Sequence, residues 1–473
     1  MTHVVVVGGG IAGLSAAYEL TGGAGGPTPA TPSVTLVEAA DLGGKLRSAT
    51  VGGRTVDVGP DGFLARRPEA VALVGELGAA SALAPVGATG AWVLARGRLR
   101  RLPAGLALGV PTRLRASEAI GMLGVRGALR ASVDLFAPQP ARRSPLPDRA
   151  IGPLVADKLG RRVVDVLVDP LVGGIHAGRV RDLSAAAVFP PLLDAGQGRG
   201  SLMRALKPTS AGGADGPAFV TLLDGVGSLP GMVAAVLDAR GVVCTTGHCV
   251  LAVRRGAAGA QRWIVESAAG SLGADAVVLA TPAAATAALL APHDGDAAAM
   301  LRAIDAASVV VVTLRYRTEE VTLPEEGTGV LIPAGTNGPD GAYLATAATF
   351  LDRKWPHLAR DGETLLRVSA GRIDDARPDE LDDAAIAARA HDELAALLGA
   401  SGSPLEVLVT RWPHAFPQYR VNHLVRVEGI EAAAASLGGL AVAGAAYRGV
   451  GIPACIASGR AAARAVRSWL TQS

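Results

Sequence analysis

The chain has 473 residues with 49% hydrophobic and 18% charged residues and a net charge of +3, so it is too long for one core of about 250–300 residues and too apolar for a disordered chain. Aromatic residues are only 3%, and there is no long basic run or stacking platform, which argues against a nucleic-acid partner. Cys244, Cys249 and Cys455 form no CxxC pair and no metal-like spacing with histidine, so neither a disulfide framework nor a metal centre is expected and a reducing cytoplasm is the natural setting.

Residues 3–7, HVVVV, read as a β-branched strand that ends at Gly8-Gly9-Gly10, and residues 11–20, IAGLSAAYEL, read as a helix. After a Gly/Pro/Thr-rich loop at 21–33, the run VTLVEA at 34–39 supplies a second strand and completes a parallel βαβ unit. Gly8, Gly10 and Gly13, with Gly9, Ile11 and Ala12 between them, then form G-x-G-x-x-G in the context it requires. The first glycine allows the tight turn, the second a close approach of backbone to pyrophosphate, and the third helix-to-strand packing. Glu38 closes the second strand, where a carboxylate can accept both ribose hydroxyls. Together these features predict a dinucleotide site, although the glycine motif alone would be a weak sign. Asp41-Leu42-Gly43-Gly44-Lys45 follows directly, and a second glycine pair with a basic residue favours FAD over NAD. Lys45 there meets a phosphate or is simply a solvated loop lysine.

From about Trp92 to Ala187, Arg- and Pro-rich turns alternate with amphipathic stretches, so 91–216 is expected to be a mainly helical insertion. Alternation returns at 217–255, and VVLATP at 277–282 reads as a buried strand. Strands VVVVTLRY and TLLRVSAGR, with helices around 383–399, predict a mixed-sheet substrate domain over 286–411. The end of the chain reads strand, glycine loop, helix. The expected fold is therefore α/β (α+β overall), with a discontinuous FAD-binding Rossmann-type domain made of 1–90, 217–285 and 412–473. No run reaches the ~18 apolar residues of a membrane span and no secretory signal opens the chain; a soluble or loosely peripheral cytoplasmic protein is expected.

GGGIAGLSAAYEL, GGKLRS, VDVGPDGFLARRPEA, LVDPLVGGIHAG, KWPH, RWPHAFPQY and AGAAYRGVGIPACIASGR occur in the order found in the oxygen-dependent protoporphyrinogen oxidases. Over almost its whole length the chain resembles that family, and in particular its bacterial coproporphyrinogen III oxidase branch. The most discriminating block is GPDGFLARRP. The resemblance implies that Gly8 to Gly13 hold the FAD pyrophosphate, Glu38 the ribose and Lys45 the phosphate side. It also implies that Gly59, Pro60, Asp61 and Gly62 line the flavin and that the Val250 backbone meets the adenine. Trp412 and Val450-Gly451-Ile452 would lie near the isoalloxazine, with the last helix pointing its positive end at the ring; for Trp412 a plain core aromatic is the rival reading.

The resemblance further implies oxidation of coproporphyrinogen III, or alternatively protoporphyrinogen IX, by O2 in haem biosynthesis, with the flavin carrying the chemistry and no residue assigned as catalytic base. Arg66 and Arg67 suit the substrate's propionates because a guanidinium matches a carboxylate, against the plainer reading of two solvated arginines. His176 stands where relatives usually have tyrosine, and either hydrogen-bonds a propionate or is a buried core histidine. His423 invites a catalytic reading but is expected to be structural. The stretch Leu106-Ala107-Leu108-Gly109-Val110 resembles the portion that docks on membranes in some relatives. Transient contact with a downstream ferrochelatase is a further implied partner. The rival readings are an amine oxidase or carotenoid desaturase, revealed by activity on an amine or carotene, and a non-enzymatic flavin or porphyrin carrier, whose FAD a porphyrinogen would fail to reduce.

Overall fold

A computed structural model describes residues 2–137, 147–196, 200–207, 216–257 and 261–472. Five parallel strands form the first sheet, in the order Val243–Thr245, Ser33–Val37, His3–Val7, Ala276–Leu279, Leu440–Val442. Val5 pairs with Thr35 on one side and Val277 on the other. Because both faces are covered, the central strands are continuous β-branched runs rather than alternating ones. Val4, Val5 and Val6 are fully buried. The helix Ile11–Leu20 lies on one face and packs along the last helix, Ile452–Gln472. A side chain at Gly459 would overlap the Ala12 carbonyl, so glycine is what lets these two helices close together. A three-stranded antiparallel meander, Val250–Arg255, Trp263–Ser267 and Gly270–Ala274, completes this region.

The second sheet has seven strands, in the order Glu406–Pro417, Ala306–Arg317, Glu363–Ala370, Ala345–Phe350, Gly329–Leu331, Trp92–Ala95, Arg98–Arg101. Two features depart from the expected division of the chain. Residues 92–101, expected at the head of the helical insertion, form an edge hairpin of this sheet, because Val330 and Leu331 pair in parallel with Trp92 and Val93. The strand carrying Trp412, expected in the nucleotide domain, pairs over its whole length with Ala306–Arg317. Local alternation of polar and apolar residues marks such strands but says nothing about which sheet receives them.

The described residues between Ala116 and Ala205 are mainly helical and have a core of their own, including Met122, Leu154, Val155, Leu167 and Leu192. Within it Val164–Gly173 winds as a π-helix with Pro170 inside. The expected amphipathic stretch 106–110 is a tight hairpin in which Val110 is fully buried and Gly109 lies against the Leu167 backbone. The exposed apolar side chains lie further on, at Ile120, Val125, Leu129, Val133 and Phe136, the last 87% exposed. Among the described residues no helix is long and apolar enough to cross a membrane.

Candidate flavin site

The phosphate end of the site is shaped by glycine contacts. Gly8 has φ +107°, and a side chain there would come within 2.6 Å of the Ala280 carbonyl, while one at Gly13 would overlap the Gly8 carbonyl. Gly10, the N-cap of the first helix, differs: nothing lies within 4 Å of where its Cβ would stand. That open side, together with the free amides of a helix start, is the space a pyrophosphate needs. Ile11 and Ala12 are buried behind it. The half-buried Glu38 is fixed by two backbone donors, Gly9 N at 2.5 Å and Ala40 N at 2.9 Å. The residues present therefore fit a dinucleotide.

Val250 begins the meander strand just beyond His248, whose amide donates to the Glu38 carbonyl at 3.0 Å. Its strand thus starts two residues after an amide bonded to the Glu38 carbonyl.

A relay of close backbone contacts leads from the phosphate loop to the other end. Gly43 N donates to Gly9 O at 2.9 Å, and a Cβ on Gly44 would stand 3.3 Å from the Gly10 Cα. One on Gly59 would overlap the Lys45 carbonyl and reach the Trp412 ring at 3.5 Å. Trp412 in turn donates from its indole to Val58 O at 2.8 Å, with Arg47 over its ring. It is thus half-buried and braces the Gly59 loop.

Lys45, expected at a phosphate, donates instead to the Ala415 carbonyl and faces Cys455 in the first turn of the last helix. Burial lowers the Lys45 pKa, opposed by Cys455, and burial pushes the Cys455 thiol up to about 11, opposed by Lys45. Val450 is half-buried and Gly451 exposed at the start of this helix, while Ile452 is buried.

The sequence reading missed what holds Asp61. Both its carboxylate oxygens accept from Lys354 Nζ at 2.9 Å, and one accepts from the Trp355 indole at 3.1 Å. Arg367 Nη1 stands 3.8 Å away, while Nη2 donates to the Gly59 carbonyl at 2.5 Å. Burial alone would raise the Asp61 pKa, but Lys354 and Arg367, with the hydrogen bonds, hold it well below the usual carboxylate range. The Trp355 ring underlies Gly62, where a side chain would approach it to 2.7 Å, and Pro60 remains exposed. The signal available in sequence was the KWPH block, which supplies both Lys354 and Trp355.

The remaining candidates divide. Arg66 and Arg67 are exposed, at the start of the helix Pro68–Glu76, and the described residues offer them no side-chain partner. His176 is buried beside Tyr419, with ring centroids 6.1 Å apart, and burial brings its pKa down to about 4. His423 is fully buried, stacks on Tyr419 at 3.9 Å and bonds the Tyr447 carbonyl at 2.8 Å. Tyr419 also accepts from Gly449 N at 2.8 Å, so His423 and Tyr419 together brace the glycine loop ahead of the last helix. That is the structural role expected of His423.

A profile of the flavin-containing amine oxidoreductases matches residues 11–467. A Bacillus subtilis protein named coproporphyrinogen III oxidase is 31% identical over 99% of this chain and 98% of its own length. A Mycobacterium tuberculosis protein of the same name is 36% identical over 96% of this chain and 95% of its own. The crystal structure of an Exiguobacterium protein described as a protoporphyrinogen oxidase superposes with a TM-score of 0.84 at 28% identity, covering 99% of both chains.

Proposed function

This chain belongs to the flavin-containing amine oxidoreductases, in the branch of the coproporphyrinogen III and protoporphyrinogen oxidases with FAD as cofactor, and from that premise we propose that it oxidises coproporphyrinogen III to coproporphyrin III. The observation that carries the reading is kinship over nearly the whole length of the chain with bacterial proteins of that name. When bound, FAD supplies the two-electron acceptance and the onward transfer to O2. The overall change removes six hydrogens from the porphyrinogen and consumes three O2, giving one porphyrin and three H2O2.

The chain's own residues bind and orient. Gly8, Gly10 and Gly13 give the pyrophosphate its approach to the helix start, and Glu38 presents a fixed carboxylate to the ribose. Val250 offers backbone to the adenine. At the ring end Gly59–Gly62, Trp412 and Val450–Ile452 enclose the flavin, and the first turn of the last helix directs its amides there. Lys45 holds the Ala415 carbonyl and so ties the glycine pair to the strand bearing Trp412. Arg66 and Arg67 are exposed cations available to the substrate's propionates. His176, depressed to about 4, is neutral at pH 7 and so acts by shape and hydrogen bonding rather than by charge.

The exposed side chains Val125, Leu129, Val133 and Phe136, beyond the break at Gly124, are the surface we assign to peripheral contact with a membrane or with a downstream ferrochelatase, in place of 106–110. The test of the function is stoichiometry: O2 consumption, H2O2 release and porphyrin fluorescence measured together with coproporphyrinogen III. Three O2 per porphyrin supports the reading; oxygen uptake driven by an amine and not by a porphyrinogen would overturn it.

A further inference from the structure

The cluster around Asp61 is unbalanced in charge. Asp61 gives both oxygens to Lys354 at 2.9 Å, which leaves Arg367 as the surplus cation at 3.8 Å. Arg367 Nη1 is buried without a hydrogen-bond partner, and the side chain is 12% exposed. The other nearby carboxylate, Asp57, is held by the Val226 and Gly227 amides and the Ser48 hydroxyl and forms an ion pair with neither Lys354 nor Arg367. In direct contact, then, two cations share one anion under Gly59–Gly62. A buried surplus charge is costly and is best retained where a ligand brings the opposite sign. Reduction of a flavin to its anionic form brings that sign.

We infer that Lys354 and Arg367, set against Asp61, are positioning residues that raise the reduction potential of the bound flavin through the Gly59–Gly62 loop. The inference rests on the placement of that loop at the flavin ring proposed above. Trp355 keeps the charges in place, since its indole holds Asp61 while its ring supports Gly62.

The test is the midpoint potential of the FAD bound to the purified holoenzyme, measured by equilibration with reference dyes at pH 7. Lys354→Met is expected to make it more negative, Asp61→Asn more positive, and Lys354→Arg to leave it at the wild-type value. A tenfold weakening of the preference for reduced flavin would read as about 30 mV. Opposite signs for the two charge changes are the signature that loosened packing would not produce. Shifts of the same sign, or none with FAD still bound, would overturn the inference. If Lys354→Met loses its FAD, Arg367→Gln provides the same negative shift to be sought. Failure of coproporphyrinogen III to reduce the wild-type flavin would sink the proposed function, and the potentials would still decide this inference.

Discussion

The two ends of the cradle are built by different means. At the phosphate end Gly8 and Gly13 are confined by main-chain carbonyls, those of Ala280 and Gly8, while Gly10 keeps an open side. At the ring end the four residues Gly59–Gly62 are held by side chains far off in sequence, Lys354 and Trp355 at the end of the short helix Leu351–Lys354 and Arg367 and Trp412 on strands of the seven-stranded sheet. A glycine packed against main chain tolerates no added atom, whereas one with an open side does. A site built from side chains depends on long-range assembly and can be tuned by single charges.

The sharpest way to probe the phosphate end is to compare Gly13→Val with Gly10→Ala. The first overlaps the Gly8 carbonyl and should yield protein with no bound FAD and a collapsed Tm. The second meets no protein atom within 4 Å, so the apoprotein Tm should stay unchanged while FAD affinity falls roughly tenfold or more, at least about 1.4 kcal/mol. Equal loss of fold in both variants would erase the distinction between packing glycine and ligand glycine.

At the ring end, Trp355→Ala removes a ring that is 2% exposed and also the Asp61 hydrogen bond. A loss of about 3–5 kcal/mol in denaturant unfolding is expected. A loss under 1 kcal/mol would mean the loop does not depend on that support.

His423 and His176 extend the comparison to pH. Both are depressed from 6.5 to about 4, so folding favours their neutral forms. The stability each contributes is complete above pH 6.5 and is lost as pH falls toward 4, up to roughly 3 kcal/mol for the fully buried His423. Tm should therefore fall over that window, and less steeply in His423→Gln; parallel curves would remove His423 from the account. The smallest structural effect is expected from the Arg66→Ala, Arg67→Ala pair, whose side chains are exposed. Stability should change by less than about 0.5 kcal/mol, while KM for coproporphyrinogen III rises. An unchanged KM would leave both as solvated arginines.

The same contrast explains what could be read from sequence. The strand at 3–7, the helix at 11–20 and the helix near 383–398 were legible because period and glycine placement fix them within a few residues. The glycine turn at 8–13 and the place of Glu38 at the end of the second strand were legible for the same reason. Asp61 could be named from its block but not its partners, since nothing local links position 61 to 354 or 367. Sheet membership of 92–101 and of the Trp412 strand was hidden likewise: a strand's pattern gives its buried face, not its neighbour. Lys45 showed a basic residue after a glycine pair, but its turn toward Ala415 depends on a strand some 370 positions away.

The most direct test of the functional reading is anaerobic mixing of the holoenzyme with coproporphyrinogen III, and separately with protoporphyrinogen IX, while following the flavin absorbance near 450 nm. Fast bleaching by coproporphyrinogen III, with slower or no bleaching by protoporphyrinogen IX, is the predicted result; an oxidised flavin untouched by either porphyrinogen would contradict it.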